Sequence, residues 1–384
     1  MKKGLKFFSL LFTCALTAYS ALHIFRSELG VGMVHLTPLF YVSFIALLCL
    51  MGVFLISTKN NRIPSIAYIV LTISIYWTIK TALSTQPTGY NILSVEYSYI
   101  WFLTIVFSYN YFLKLGTNEN RIINYLFICF IITSAANILS YLTLRSAGVS
   151  IMPLVYNSVI FLPWILVNDN KKYIIAGFTI LSILIILSAK RGAVVILAVQ
   201  SLLLGYHLLK NRKVSFGTKA IIFIVAPLFI YGVYNKVSSQ TDSFLAEKFS
   251  AEELADGSGR AEINEYGFNE ISKMYSFKEY FFGYDLGSSN LLQFGGHNDW
   301  LTYMLHYGLI GVFLYFLLYV YIIIGIFKLK RIGTNVYLAY FSLFIIMVVL
   351  SLISSSYNPV THPLIGMLFI GFAEAKIKQS RMRV

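Results

Sequence analysis

Two arginines, a lysine and a histidine carry most of what this sequence offers for chemistry. Lys190 and Arg191 lie in Ser188-Ala-Lys-Arg-Gly192, between two apolar blocks. Arginine near hydrocarbon is costly and by default marks a functional position. Its planar guanidinium binds phosphate oxygens through paired hydrogen bonds, and Lys190 could add a point charge beside it. The competing account is that both side chains snorkel to lipid headgroups. Arg260 follows the turn-forming Asp256-Gly-Ser-Gly259 and precedes Ile263 by one helical turn; its competing account is a surface ion pair with Glu262 or Glu265. His297 follows two glycines and precedes Asn298. An imidazole with an unperturbed pKa of about 6.5 suits moving a proton at neutral pH, unless it is bound to a loop carbonyl. Asp299 reads as a helix cap rather than a catalytic group. His306, His362 and Tyr357 read as structural, His23 and His35 carry no chemical signal, and His207 falls on the other side.

The elements that position these residues follow from composition. The chain has 384 residues, of which 58% are hydrophobic and 12% charged. A soluble domain has about 45–50% apolar and about 25% charged residues. The apolar residues come in blocks of about 18 or more, the signature of membrane-spanning helices. A β-barrel would alternate in segments of about ten residues. An all-α polytopic membrane protein is expected, with twelve spans near 5–25, 34–57, 63–83, 97–113, 121–144, 150–168, 172–189, 192–209, 218–234, 306–327, 336–355 and 361–375. The first block is expected to be a retained anchor rather than a cleaved signal peptide, because its apolar run continues to Phe25. Cys14, Cys49 and Cys129 all sit inside apolar blocks, which suggests neither a disulfide framework nor a metal site.

The net charge of +14 points to orientation rather than to nucleic acid. With the N-terminus inside, every second loop carries the excess of Lys and Arg, as the positive-inside rule requires. The inner segments hold 20 of the 30 basic residues, and both termini are expected to be cytoplasmic. Lys190-Arg191 breaks this pattern, since the chain must turn at the outer edge near Gly192. The organisation expected is helices 1 to 9 over residues 1–234, a large outer loop over 235–300, and helices 10 to 12 with a basic tail over 301–384. The loop holds eleven of the sixteen acidic residues. Ile263, Tyr266, Gly267, Ile271 and Met274 recur in it at helical spacing, predicting an amphipathic helix capped by Asp256 or Ser258. That helix would lie on the membrane face or pack over the spans.

Absences narrow the chemistry. There is no phosphate-binding G-x-x-x-x-G-K-[ST] loop, no Asp-x-Asp pair and no Cys/His cluster, so an ATP-driven pump, a metal-held nucleotide sugar and a zinc site are disfavoured. Cations and a histidine at the outer boundary suit a lipid-linked diphosphate. The arginines would stabilise the leaving group without a metal or other cofactor, and the histidine would accept a proton from an attacking hydroxyl.

At these residues the sequence resembles the O-antigen polymerase and O-antigen ligase family. Ser188-Ala-Lys-Arg-Gly-Ala193 is similar to the family's Ser-x-x-Arg-Gly-Ala turn, and Ser258-Gly-Arg260 to a motif early in its large periplasmic loop. His297-Asn298, nine residues, then Gly308-Leu-Ile-Gly311 resembles its His-Asn-x9-Gly-x-x-Gly pattern, and the Phe282-Gly-Tyr284 turn is also similar. Lys190 stands where the family commonly has serine. The resemblance covers roughly residues 185–375; before that only the span pattern agrees. It implies a membrane-embedded glycosyltransferase of GT-C-like architecture in the bacterial inner membrane, serving lipopolysaccharide or capsule biosynthesis. The donor implied is an undecaprenyl-diphosphate-linked oligosaccharide and the acceptor a glycan. Arg191 and Arg260 would bind the diphosphate and His297 would assist the acceptor. Lys190, Asn298 and Tyr284 would contact substrate. A chain-length regulator protein and membrane lipids would be partners, with no nucleic acid. A polymerase is favoured over a ligase by His297-Asn-Asp-Trp300; a lipid-linked saccharide flippase is the rival from another class. The ends of the loop are expected to bring Arg260 and His297 to the face where Arg191 emerges.

Overall fold

The computed structural model of the chain describes residues 2–28, 36–85, 89–116, 119–146, 155–188, 191–210, 260–286, 298–332, 336–353 and 361–382. These are helical, with no strand among them. In chain order the described helices are α1 (Lys2–Glu28), α2 (Leu36–Ser57), α3 (Ser65–Ala82), α4 (Gly89–Leu115), α5 (Glu119–Ser146), α6 (Tyr156–Val159) and α7 (Leu162–Leu166). They continue with α8 (Lys171–Ser188), α9 (Arg191–Lys210), α10 (Arg260–Ser272), α11 (Phe277–Phe282), α12 (Asp299–Ile332), α13 (Val336–Ile353) and α14 (Thr361–Arg381). Among the described residues five helices are long and apolar enough to cross a membrane: α1, α2, α3, α5 and α12. Shorter apolar stretches lie at Tyr156–Leu166, Gly192–Leu203 and Val336–Leu352. Several apolar helices of spanning length make this a polytopic membrane protein.

Several expected spans coincide with helices to within a few residues. Others differ for physical reasons. The span expected at 97–113 lies within a longer helix that begins at Gly89, whose added first turns hold a buried polar residue, Ser94, that hydropathy discounts. The span expected at 150–168 is two short helices over its described part. Pro163 sits in the first turn of α7, where its missing N–H costs nothing but cannot continue α6. This irregular backbone is buried in protein, with Asn157 and Ser158 inaccessible and Asn137 donating to Ser158 at 2.9 Å. The span expected at 306–327 starts at Asp299 and runs to Ile332. The span expected at 218–234 lies outside the described residues.

One large core joins the spans, centred on Trp77, Trp164, Phe107, Phe130, Tyr303, Tyr340 and Phe369, all fully buried. Helix α4 is its hub and packs against α14, α3 and α2. Its contact with α14 is a close backbone approach, since a Cβ on Gly371 would stand 2.6 Å from the Ile105 carbonyl oxygen and from Ser108 Cβ. The Ser108 hydroxyl donates to the Leu368 carbonyl across this seam. Small residues let membrane helices meet where hydrophobic exclusion supplies no drive between them.

Side-chain contacts join helix ends that the distribution of basic residues assigns to one face. At the basic end Lys376 pairs with Glu119, Asn120 donates to Asp169 at 2.7 Å, and Gln379 donates to the Phe112 carbonyl at 3.0 Å. At the loop end Ser84 donates to Asp285 at 2.6 Å, and Trp300 donates to Ser351 at 3.2 Å.

Candidate functional site

The loop helices dock where α12 begins. Tyr266, Ile271 and Met274 of the expected amphipathic segment pack with Tyr284, Leu286, Leu301, Met304 and Leu305 in a second small core. The loop helix α10 therefore packs over the spans. Asp256 and Ser258, its expected caps, lie outside the described residues. The shorter helix α11 is closed by Ser276, whose hydroxyl accepts from Glu279 N at 3.0 Å while the Glu279 carboxylate accepts from Ser276 N.

Two glycines lock this loop into α12. Gly308 interrupts α12 with φ 63° and ψ −165°, and Gly283 ends α11 with φ 77° and ψ 174°. Both lie in a region open essentially to glycine alone, where a side chain costs about 1–3 kcal/mol. The two also face each other. A Cβ on Gly308 would stand 2.5 Å from Gly283 N and from the Phe281 carbonyl. A Cβ on Gly283 would stand 2.6 Å from the His306 carbonyl carbon. In the opened turn of α12 the Leu305 carbonyl accepts from Tyr284 N at 2.8 Å, and the Tyr307 carbonyl accepts from the Tyr76 hydroxyl at 2.7 Å. The break thus frees helix carbonyls and supplies their partners from α3 and the loop.

The end of α3 completes the latch. Lys80, half-buried in its last turn, donates to the Gly283 carbonyl at 3.1 Å. Asp285 accepts from the hydroxyls of Ser84 at 2.6 Å and Thr85 at 2.7 Å, and from Thr85 N at 3.4 Å. Neither Lys80 nor Asp285 was singled out from the sequence. Lys80 could have been found by the argument applied to Arg191: it is a cation in the last turn of an apolar helix, a costly place for one.

The expected site residues fall as follows. Arg191 is the first residue of α9 and Arg260 the first of α10. Lys190 and His297 lie outside the described residues. Asn298 caps α12: its Oδ1 accepts from Trp300 N at 3.0 Å and Leu301 N at 3.3 Å. Asp299, the expected cap, is instead buried within the first turn and accepts from the Tyr315 hydroxyl at 3.1 Å. Tyr284 is buried, and its hydroxyl donates to the Glu270 carbonyl at 2.8 Å. Burial raises the pKa of this hydroxyl, so it stays protonated and able to donate. The buried Glu270 carboxylate pairs with exposed Lys273 at 2.6 Å, and that hydrogen bond raises the lysine's pKa. The structure thus joins Tyr284 and Asn298 at the start of α12. Arg260 belongs to α10, which packs on that helix, whereas Arg191 belongs to α9, which packs on α13 and α8. Among the described residues no three His, Cys, Asp or Glu side chains gather as metal ligands would.

No protein-family model matches this chain, and no curated protein matches it as a relative.

Proposed function

We propose that the chain is a polysaccharide polymerase of the bacterial cytoplasmic membrane: a metal-independent, inverting glycosyltransferase with twelve spans, GT-C-like architecture and its site on the periplasmic face. An acceptor hydroxyl of one lipid-linked repeat unit attacks the anomeric carbon of a glycan held on undecaprenyl diphosphate. The new glycosidic bond forms as the bond to the diphosphate breaks, and the lipid diphosphate leaves. Arg191, Arg260 and Lys190 stabilise the charge gathering on it. His297 takes the proton released by the acceptor hydroxyl.

One observation carries this reading. The Phe282-Gly-Tyr284 turn and the Gly308 stretch, noted separately for their likeness to one family, interlock through their glycines. The docked loop sits at the first turns of α12, directly after His297. An outer loop anchored this way offers a cover for a lipid-linked substrate and would exclude water from its diphosphate.

A ligase that moves the glycan to a lipid A core remains the second reading, and the structure bears on why. Asn298 caps a helix, Asp299 accepts from Tyr315, and the Trp300 indole donates to Ser351. Each of these residues has structural work, so His297-Asn-Asp-Trp300 no longer separates polymerase from ligase. Deleting the gene and resolving the glycans on a gel decides. Single repeats left on carrier or core mean polymerase. Long chains stranded on undecaprenyl diphosphate mean ligase. Repeat units held at the cytoplasmic face mean a flippase and overturn both.

A further inference from the structure

At the end of the bundle away from the loop helices lies a cavity of about 210 Å³, between the start of α3, α4 and the ends of α12 and α14. Lys328 reaches it from α12, and Lys378 and Arg381 reach it from the last turns of α14. Ser65 brings the N-terminus of α3, where Pro64 stands at the cap position and no side chain caps the first-turn amides. Those amides carry the positive end of the helix dipole. Among these donors sits Glu374, only 9% exposed. Lys328, Lys378 and Arg381 line the same cavity, yet among the described residues none of them closes on it as an ion pair.

This is more than an orientation signal demands. Orientation needs cations on one face of the membrane and no particular arrangement. Here three cations from two helices and an uncapped helix N-terminus converge on one concavity, around a carboxyl group that forms an ion pair with none of them among the described residues. Burial penalises the charged form of such a group unless a cation pairs with it. A simple anion would answer the cations and worsen the position of Glu374. A ligand that carries a phosphate and a cation together answers both.

We propose that this cavity binds a phosphate diester bearing a primary ammonium, the headgroup chemistry of phosphatidylethanolamine. The phosphate lies against Lys328, Lys378, Arg381 and the first turn of α3, and the ammonium against Glu374. The lipid is the favoured source over a soluble ester, because the cavity lies at the ends of the apolar helices. Ile324, one turn before Lys328, and Phe327, next to Lys328 in sequence, expose 42% and 57% of their surface for acyl chains to cover.

The test uses the full chain purified in detergent, with ligand affinity read from the shift in thermal unfolding. The probes are dihexanoylphosphatidylethanolamine, dihexanoylphosphatidylglycerol and glycerophosphoethanolamine. The ethanolamine lipid should bind about tenfold tighter than the glycerol lipid, as one extra charge-assisted hydrogen bond provides. Glu374→Gln should abolish that preference, and Lys328→Ala with Arg381→Ala should weaken both lipids by about tenfold or more. If that pair prevents folding, Lys378→Ala, whose lysine is on the cavity's edge, should still weaken both. Glycerophosphoethanolamine binding as tightly as the lipid supports the site with a soluble ester as its occupant, and much weaker binding supports the lipid. Equal affinity for the two lipids in the unsubstituted protein overturns the proposal, as does binding that ignores the lysine and arginine substitutions. None of these readouts depends on glycosyl transfer.

Discussion

The two ends of the helical bundle are held together by different physics. At the loop end the contacts run through backbone: Gly283 against Gly308, Tyr284 N to the Leu305 carbonyl, Lys80 to the Gly283 carbonyl. At the basic end they run through side chains: Lys376 with Glu119, Asn120 with Asp169, and Gln379 with the Phe112 carbonyl. A backbone contact tolerates almost no change of shape, because interiors are close-packed and the added atom has nowhere to go. Side-chain contacts tolerate more rearrangement, since long side chains such as those of Lys376 and Gln379 can change rotamer. The end proposed to do chemistry is therefore the one built to hold geometry.

The largest expected effect breaks the comparison at the loop end. Arg191→Ala and His297→Ala should each remove polymer formation, by about 100-fold or more, while the protein still inserts. Lys59→Ala, an exposed substitution at the basic end, should leave ladder length unchanged. Wild-type ladders in both site variants would sink the assignment. Next comes Gly308→Ala, which puts a side chain into the interlock and forces an excluded conformation. A stability loss of about 2–4 kcal/mol is expected, together with rapid protease cleavage between α10 and α12. If the loop stays protected, the glycines do not form the latch. Asp285→Ala removes two hydroxyl partners at an exposed position and should cost about 1 kcal/mol, read as faster hydrogen exchange in residues 277–286.

Tyr284→Phe should cost about 1 kcal/mol through the lost bond to Glu270, with an unchanged KM for the lipid-linked donor. A raised KM at unchanged stability would return Tyr284 to the substrate. The same contacts set a pH limit. Tyr284 and Lys273 both have pKa values raised by the fold, so the stability each adds is complete below its unfolded pKa of about 10 and is lost as pH rises through the folded value. Loop protection should therefore hold at neutral pH and fall in strong alkali. At the basic end Glu119→Gln leaves Lys376, only 19% exposed, without its carboxylate, and should cost about 1–3 kcal/mol with little dependence on salt.

Much of this architecture is legible without coordinates. Membrane-spanning helices follow from composition and block length, because a bilayer leaves the backbone few ways to satisfy its polar groups. The helix α10 was readable from Ile263, Tyr266, Ile271 and Met274, since a period of 3.6 places them on one face. Which helix that face covers was not readable, because periodicity names a face and not its partner. The uncertain role of Phe282-Gly-Tyr284 is a sharper case. As sequence it is a turn with a tyrosine available to a substrate; in the fold the tyrosine is buried and the glycine meets another glycine from α12.

Sequence alone determined that this chain carries apolar helices of membrane-spanning length, and it nominated Arg191, Arg260 and His297 for chemistry by residue type and spacing. Those conclusions rest on local properties: hydropathy, charge and residue type. Tertiary structure alone decided that Lys80 and Asp285 anchor the loop, that Asn298 rather than Asp299 caps α12, and that three basic residues surround one buried carboxylate. Each of these depends on which distant segments meet, and that choice is made by packing many weak contacts at once, a sum that no local stretch of sequence contains.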